Sequence, residues 1–160
     1  SRICCAITSQ KWSKYALLPL NTPVSPEDLA RIHRSAFVDA RPWSASEFQQ
    51  LMAQPGVHLS ATRECFAMGR LVLDEVEILT VACAAAAQRQ GLARQVMVAL
   101  IEASAVLGAR AVFLEVASDN APALGLYESL EFEQVARRTR YYKRRDGTTC
   151  DALIFRKLLT

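Results

Sequence analysis

Residues 88–94 combine one glycine with two arginines at the point where an apolar strand gives way to a helix. The first backbone N–H groups of a helix have no partner within it, and together with the positive end of the helix dipole they can bind a phosphate. Gly91 and Ala93 would let an anion approach the backbone closely, while Arg89 and Arg94 would add positive charge. The segment is therefore a candidate phosphate-binding loop.

The same residues exclude two nucleotide-binding classes. No Gly-Lys-Ser/Thr follows, so the loop is not a P-loop, and only one of the three glycines of a Rossmann fingerprint is present. A glycine between a strand and a helix also occurs simply as a turn residue. The spacing alone leaves that interpretation open beside phosphate binding.

Glu115 is the second candidate for chemistry, because it interrupts the otherwise apolar run of residues 111–116. Such a run is typical of a strand that is buried on both faces. A carboxylate is costly to bury there unless it is paired or functional, and a functional carboxylate could act as a general base. The alternative is a glutamate at the end of a strand that faces water.

The hydrophobic pattern predicts the elements that position these residues. A helix is predicted to begin at Gly91 and to stop at Gly108, and another is predicted to begin after Asn120. Asp74-Glu75 is predicted to form a tight turn between two antiparallel strands. Strands are predicted at residues 16–20, 57–60, 65–73, 76–83, 111–116, 135–142 and 152–158.

Two further helices are predicted before the strand at residues 57–60. Ser25 and Ser44 are suitable N-caps, and the second helix is predicted to end near Met52. His33 and Trp43 would either pack between these helices or line a substrate pocket.

Composition limits the class of protein. The chain has 160 residues, of which 51% are hydrophobic and 22% charged, and this predicts one globular domain over residues 1–160. A net charge of +3 is too small to identify a nucleic-acid-binding protein. No segment is long enough to span a membrane, and a cytoplasmic location is expected. Five cysteines without Cys-x-x-Cys spacing predict reduced thiols, with neither a disulfide framework nor a metal site.

A basic run at residues 137–145 accounts for most of the net positive charge. Such a run is usually a solvated strand face. The tyrosines that interleave it leave contact with RNA as an alternative, although no recognised RNA-binding signature is present.

The order of the elements, with a glycine loop opening the central helix, resembles the GNAT superfamily of N-acetyltransferases. Residues 88–93 look like that family's Q/R-x-x-G-x-G/A pyrophosphate loop. The chain is also similar to one branch of this family, the bacterial ribosomal-protein N-terminal alanine acetyltransferases. The residues that carry this similarity are Leu114-Glu115-Val116, Asn120, residues 126–132, Arg41-Pro42-Trp43-Ser44 and a late Arg-x-x-Tyr-Tyr. The resemblance covers the chain from about Pro26 to Leu158. It implies an α/β (α+β) fold with a mixed, mostly antiparallel sheet of six to seven strands and about four helices.

This resemblance also implies a function, which is the transfer of the acetyl group of acetyl-CoA to a primary amine by direct attack. The expected acceptor is the N-terminal α-amine of a protein such as a ribosomal protein, and neither a membrane nor a nucleic acid is an expected partner. Glu115 would be the general base, and Tyr127 would be the acid that protonates the departing thiolate. The acceptor would contact Trp43, Tyr141 and Tyr142. The cofactor would contact Val81, Ala82, Cys83, Arg89, Gln90, Gly91, Leu92, Ala93, Arg94 and Asn120.

Three other functions stay open at this stage. An acetyltransferase of small amines would need a closed acidic pocket, for which Asp39, Glu47 and Glu77 are candidates. A non-catalytic acyl-CoA-binding module would be expected to lack Glu115 or Tyr127. An RNA-binding or ribosome-docking domain would use the basic run.

Overall fold

The computed structural model describes residues 22–38 and 40–160 of the chain. The strand predicted at residues 16–20 lies outside the described residues, and each other predicted helix and strand is present with its ends shifted by a few residues at most. The elements are α1 (Pro26–Ala36), α2 (Ala45–Met52), β1 (Val57–Ala61), β2 (Cys65–Val72), β3 (Glu75–Cys83), α3 (Leu92–Val106), β4 (Ala111–Ala117), α4 (Ala121–Ser129), β5 (Glu133–Lys143) and β6 (Thr149–Leu158).

Serine side chains begin the first two helices, as predicted. Ser25 Oγ accepts a hydrogen bond from the Asp28 backbone N–H at 3.1 Å, and Ser44 Oγ accepts one from the Glu47 N–H at 3.2 Å. In both helices the acid also accepts from the backbone N–H of the serine, which completes a capping box. No helix among the described residues combines the length and the apolar character needed to cross a membrane.

The six described strands form one sheet in the order β1-β2-β3-β4-β6-β5, in which β3 and β4 run parallel and the other neighbouring strands pair antiparallel. This arrangement, with four α-helices in the described part, confirms the mixed and mostly antiparallel sheet implied by the resemblance. The turn between β2 and β3 falls one residue earlier than predicted, because Val72 pairs with Glu75 and leaves Leu73 and Asp74 as the turn. Leu73 takes up the left-handed conformation, with φ 57°.

The helices cover the two faces of the sheet unequally. On one face, α3 and α4 pack in a core cluster that includes Met97, Leu100, Val112, Leu114, Val116, Tyr127, Leu153 and Phe155. On the other face, α1 and α2 pack in a second cluster that includes Leu29, Ile32, Phe48, Phe66, Met68 and Ala82. The strand members of the second cluster come from β1, β2 and β3, so it does not extend over β4, β6 and β5.

Considering residues 22–38 and 40–160, β4 is therefore buried on one face only, and the prediction of burial on both faces is wrong. Leu114 and Val116 point into the cluster with α3 and α4. Because side chains alternate along a strand, Glu115 points to the opposite face. The cluster beneath α1 and α2 does not reach it there, and its side chain is 30% exposed.

β3 and β4 pair only over the first part of their lengths. The parallel pairs are Glu75 with Ala111, Val76 with Val112 and Glu77 with Phe113, and none follows in these two strands. Immediately afterwards, Ile78 pairs with Gly69 and Thr80 pairs with Met68, so Leu79 is a bulge without a partner on β2. A bulge bends its strand and increases the local twist. The two strands therefore separate and leave an opening between their C-terminal halves.

The prediction that all cysteines are reduced is wrong for Cys65 and Cys83, which form a disulfide. The register of the β2–β3 hairpin places these two residues directly opposite each other, at the end of the hairpin far from its turn. Cys150 is free and half-buried. Cys4 and Cys5 lie outside the described residues.

We expect reduction of the Cys65–Cys83 disulfide to lower the free energy of unfolding. The two cysteines are 18 residues apart in sequence. Opening a loop of this size increases the entropy of the unfolded chain by an amount worth about 3 kcal/mol. Urea unfolding of the wild-type protein with and without dithiothreitol measures this difference.

Two variants control for other effects of the reductant. Cys83→Ala should abolish the response to dithiothreitol, whereas Cys150→Ser should preserve it. Identical unfolding midpoints for the wild type in both conditions would contradict the disulfide.

Candidate active site

The N-terminus of α3 exposes backbone N–H groups that no side chain caps. Gly91 is the N-cap residue and has φ 78°, whereas Ser25, Ser44 and Asn120 cap the other α-helices with their side chains. The first hydrogen bond to the helix start runs from the Gln95 N–H to the Gly91 carbonyl at 3.1 Å. A Cβ built on Gly91 would meet no atom within 4 Å, so the space beside the loop is open. These features suit an anion.

The side chains of the predicted phosphate loop differ in their surroundings. Arg89 is exposed, has φ 61° and has no partner among the described residues. Arg94 donates from Nη1 to the carbonyl oxygen and the Oγ of Ser129 at 3.0 and 3.1 Å, which ties α3 to the end of α4. Gln90 donates to a backbone carbonyl of the preceding turn at 3.4 Å. Two residues of the loop pack against the core cluster, namely Leu92 and Ala93.

The last residues of β3 have one backbone edge that pairs with no other strand described by the structure. Val81, Ala82 and Cys83 lie beyond the last pair with β4, although β2 pairs with β3 as far as Cys83. The Cys83 carbonyl accepts a hydrogen bond from Gln88 Nε2 at 3.2 Å. The unpaired edge of β3 therefore leads along the opening towards the loop before α3.

Two residues of β5 hold Glu115 on the open face of the sheet. The Tyr142 hydroxyl donates to Glu115 Oε1 at 2.8 Å, and Arg138 Nη1 lies 3.6 Å from Oε2. Burial, together with the hydrogen bond to Glu115, raises the pKa of Tyr142, so its hydroxyl keeps its proton at neutral pH. The sequence singled out Tyr142 as an acceptor contact but gave no signal for either interaction, because both depend on an irregular register in β5.

Tyr141 extends this group of side chains towards solvent. It is 51% exposed, and the Arg138 guanidinium lies 5.2 Å from the centroid of its ring. The rings of Tyr141 and Tyr142 meet edge to face with centroids 5.2 Å apart. The open face thus presents two aromatic rings and a cation beside the Glu115 carboxylate.

Tyr127 lies on the opposite side of the sheet. It is 8% exposed and packs edge to face on Phe132, with centroids 5.9 Å apart. Tyr127 shares its core cluster with Leu114 and Val116, the two neighbours of Glu115 in β4. Burial raises the pKa of Tyr127 to about 12. Its hydroxyl has no hydrogen-bond partner among the described residues and stays protonated at neutral pH.

Asn120 and Trp43 stabilise local structure. Asn120 Oδ1 accepts a hydrogen bond from the Ala123 N–H at 3.3 Å and so caps α4. Trp43 stacks on His33 with centroids 5.0 Å apart, and its backbone N–H donates to His33 Nδ1 at 3.2 Å. Burial lowers the pKa of His33 to about 4, so the ring is neutral and can accept this bond. Among the described residues, no hydrogen bond or ring contact joins Trp43 to Glu115, Tyr141 or Tyr142, and its role in acceptor binding stays a prediction.

The two faces of the sheet carry different members of this set of candidate residues. The uncapped start of α3 and the buried phenol of Tyr127 lie on the side of α3 and α4, and the Glu115 carboxylate lies on the open side. An extended ligand in the opening could form hydrogen bonds with the free edge of β3. A reacting atom there could exchange protons with a carboxylate on one side and a phenol on the other.

Comparisons with known proteins identify the family to which the chain belongs. A model of the acetyltransferase (GNAT) family matches residues 27–132. The ribosomal protein bS18-alanine N-acetyltransferase of Escherichia coli K12 is 34% identical over 129 residues, which cover 78% of this chain and 86% of that protein. The N-alpha-acetyltransferase RimI of Mycobacterium tuberculosis is 29% identical over 131 residues, which cover 76% and 81%.

A solved structure supports the same relationship. The crystal structure of the ribosomal-protein-S18-alanine N-acetyltransferase from Escherichia coli matches with a TM-score of 0.75 and 31% identity, covering 84% of this chain and 88% of that chain. The chain therefore belongs to the GNAT family of acetyltransferases and is an acetyl-CoA-dependent N-acetyltransferase.

Proposed function

We propose that this enzyme acetylates the N-terminal α-amine of a protein, with Glu115 as general base and Tyr127 as the acid beside the departing thiolate. The observation that carries the proposal is the early end of the pairing between β3 and β4. Beyond it, Glu115 lies on the more exposed face of β4, and Tyr127 packs in the core cluster on the other face. An acceptor can then approach from one face of the sheet while the cofactor occupies the other.

The proposed position of acetyl-CoA follows from the donors that lack partners. The pyrophosphate would contact the N–H groups at the start of α3 and the side chain of Arg89. The pantetheine arm would pair with the free edge of Val81, Ala82 and Cys83, as an added strand does. A backbone N–H of this edge would then donate to the thioester oxygen and stabilise negative charge that develops on it. Asn120 would contribute through the part of its amide that does not cap α4.

The proposed reaction moves one acetyl group and balances its protons. The neutral amine nitrogen attacks the acetyl carbonyl carbon, and Glu115 removes a proton from that nitrogen directly or through a water. The carbon–sulfur bond then breaks, and the Tyr127 hydroxyl donates its proton to the sulfur. An α-amine titrates at about pH 8, whereas a lysine amine titrates at about pH 10.4, so an α-amine needs far less help from a base.

The surroundings of the acidic residues favour a protein acceptor over a small polyamine. The Glu47 carboxylate is paired with Arg41 at 2.8 Å, and that of Glu77 is paired with Arg70 at 3.0 Å. Asp39, the third candidate for an acidic pocket, lies outside the described residues. Glu115 instead opens onto a broad face where Tyr141 and Tyr142 could contact an extended peptide.

The names of the relatives support a particular class of acceptor. The Escherichia coli protein is described as acting on an alanine of ribosomal protein bS18. By analogy, we assign the present enzyme an N-terminal alanine, and a ribosomal protein as the partner that carries it. Such a partner would place the enzyme in the cytoplasm.

A peptide with a free N-terminal alanine should be acetylated much faster than the same peptide with a blocked N-terminus and an internal lysine. The physical reason is that a larger fraction of the α-amine is neutral at pH 7.5. Mass spectrometry of both peptides after incubation with enzyme and acetyl-CoA measures the difference. Efficient acetylation of spermidine with no activity on either peptide would contradict the proposed acceptor.

Glu115→Gln should lower kcat by roughly 10²- to 10⁴-fold while acetyl-CoA binds as in the wild type. The glutamine can still accept the Tyr142 hydrogen bond, so the change removes the proton acceptor with little effect on geometry. The remaining rate should rise with pH, since the amine then loses its proton without help. Steady-state kinetics from pH 6 to pH 10 and calorimetry with acetyl-CoA measure both effects.

Two variants sharpen this experiment. Glu77→Gln changes an exposed glutamate on the neighbouring strand and should leave kcat unchanged within about twofold. Tyr127→Phe should lower kcat without changing the pH dependence, because the pKa of Tyr127, about 12, lies above the assay range. A wild-type kcat for Glu115→Gln would remove Glu115 as the base.

A further inference from the structure

The register between β5 and β6 is irregular beside Glu115. Arg138 pairs with Ala152 and Tyr142 pairs with Cys150, so three residues of β5 lie opposite one residue of β6, which is Asp151. Within this bulge Arg140 has φ 52°, in the left-handed region. That conformation is unfavourable for a residue with a side chain, so the bulge needs contacts that stabilise it.

Asp151 supplies these contacts. Its Oδ1 accepts a hydrogen bond from the Arg140 N–H at 2.9 Å, and its Oδ2 accepts one from Arg137 Nε at 2.6 Å. Its backbone carbonyl accepts from the Ser118 N–H, just beyond β4, at 2.9 Å. The side chain is 16% exposed. The bonds from Arg140 and Arg137 hold the pKa of Asp151 below its usual range, so it is ionised at neutral pH.

The bulge decides which β5 residue reaches Glu115. Without the two extra residues, regular antiparallel pairing would place Arg140 opposite Cys150. With the bulge, Tyr142 occupies that position instead, and its hydroxyl lies 2.8 Å from Glu115 Oε1.

We propose that Asp151 is a positioning residue, which acts on the reaction by holding the β5 bulge that brings the Tyr142 hydroxyl onto Glu115. The catalytic consequence rests on the proposed role of Glu115 as the base. The structural consequence does not, because the position of the Tyr142 hydroxyl can be measured without turnover.

The first test reads the ionisation of Tyr142 by NMR, with ¹³C-labelled tyrosine rings. Comparison with Tyr142→Phe assigns the signal. The ionisable groups that face Tyr142 are Glu115 on β4, Tyr141 on β5 and Cys150 on β6.

In Asp151→Ala the bulge loses its side-chain acceptor. The pKa of Tyr142 should then fall towards the ordinary value of a tyrosine, since its hydroxyl leaves Glu115 and becomes exposed. An unchanged Tyr142 titration in folded Asp151→Ala would overturn the proposal, whatever the reaction of the enzyme is.

The second test is kinetic. Asp151→Ala should lower kcat by about tenfold or more while the KM for acetyl-CoA stays within about twofold of the wild type. In a Tyr142→Phe background the same change should lower kcat by less than about twofold, because its effect runs through Tyr142. Equal losses in both backgrounds would overturn the proposal.

Asp146→Ala is the matched control. Asp146 lies in the same hairpin and accepts hydrogen bonds from the N–H and Oγ1 of Thr148 at 2.9 and 2.6 Å, but it does not contact the bulge. The Asp146→Ala variant should keep kcat within about twofold of the wild type. A loss of kcat as large as that of Asp151→Ala would point to general destabilisation of the hairpin and would overturn the proposal. Asp151→Asn keeps an oxygen that can accept from the Arg140 N–H, so it should retain part of the activity. This variant replaces Asp151→Ala in both tests if Asp151→Ala does not fold.

If Glu115→Gln kept the wild-type kcat, the base assignment would fail. The NMR result would still decide the role of Asp151.

Discussion

The early end of the hydrogen-bonded ladder between β3 and β4 is the constraint on which the site depends. A ladder that continued past Glu77 would close the sheet and leave no passage between its faces. The bulge at Leu79 bends β3 at this point. Each strand is held by its other neighbour instead, β3 by β2 as far as the Cys65–Cys83 disulfide and β4 by β6 as far as Ala117. The opening is thus a fixed feature of a paired sheet.

The two faces of the sheet then differ in chemistry because the helices cover them differently. The face beneath α3 and α4 is closed and apolar, and a phenol buried there keeps its proton far above neutral pH, as the pKa of Tyr127 shows. In the described part of the chain, the face beside α1 and α2 is covered only as far as β3, which leaves Glu115 and the β5 side chains that contact it accessible to an acceptor. Acid and base can be separated in this way by one layer of sheet.

Local signals in the sequence predicted much of this architecture. Ser25 and Ser44 begin helices because their hydroxyls replace missing backbone partners, and Gly91 begins α3 because it tolerates the left-handed conformation. The phosphate-loop interpretation of residues 88–94 needed only this local pattern. Glu115 was recognisable because a charge in an apolar strand requires an explanation.

Features set by strand register could not be read in the same way. The cysteines were expected to be reduced. Cys65 and Cys83 nevertheless lie almost equally far from the Leu73-Asp74 turn, and this spacing was the available signal for a cross-strand pair. The burial of β4 on one face depends on how far across the sheet α1 and α2 extend. The contact of Tyr142 with Glu115 depends on a bulge opposite Asp151. Hydrophobic periodicity carries no information about which face of β4 the helices cover or about where β5 bulges.

Hydrogen–deuterium exchange with and without acetyl-CoA reports on the free edge of β3 itself. Amides of β3 that point towards β2 are already bonded, whereas those that point into the opening have no partner on any described strand. We predict that acetyl-CoA slows exchange in residues 79–83 and at the start of α3, and leaves exchange in β1 unchanged. Slowing confined to the β5–β6 hairpin, with unchanged exchange in residues 79–83, would contradict it.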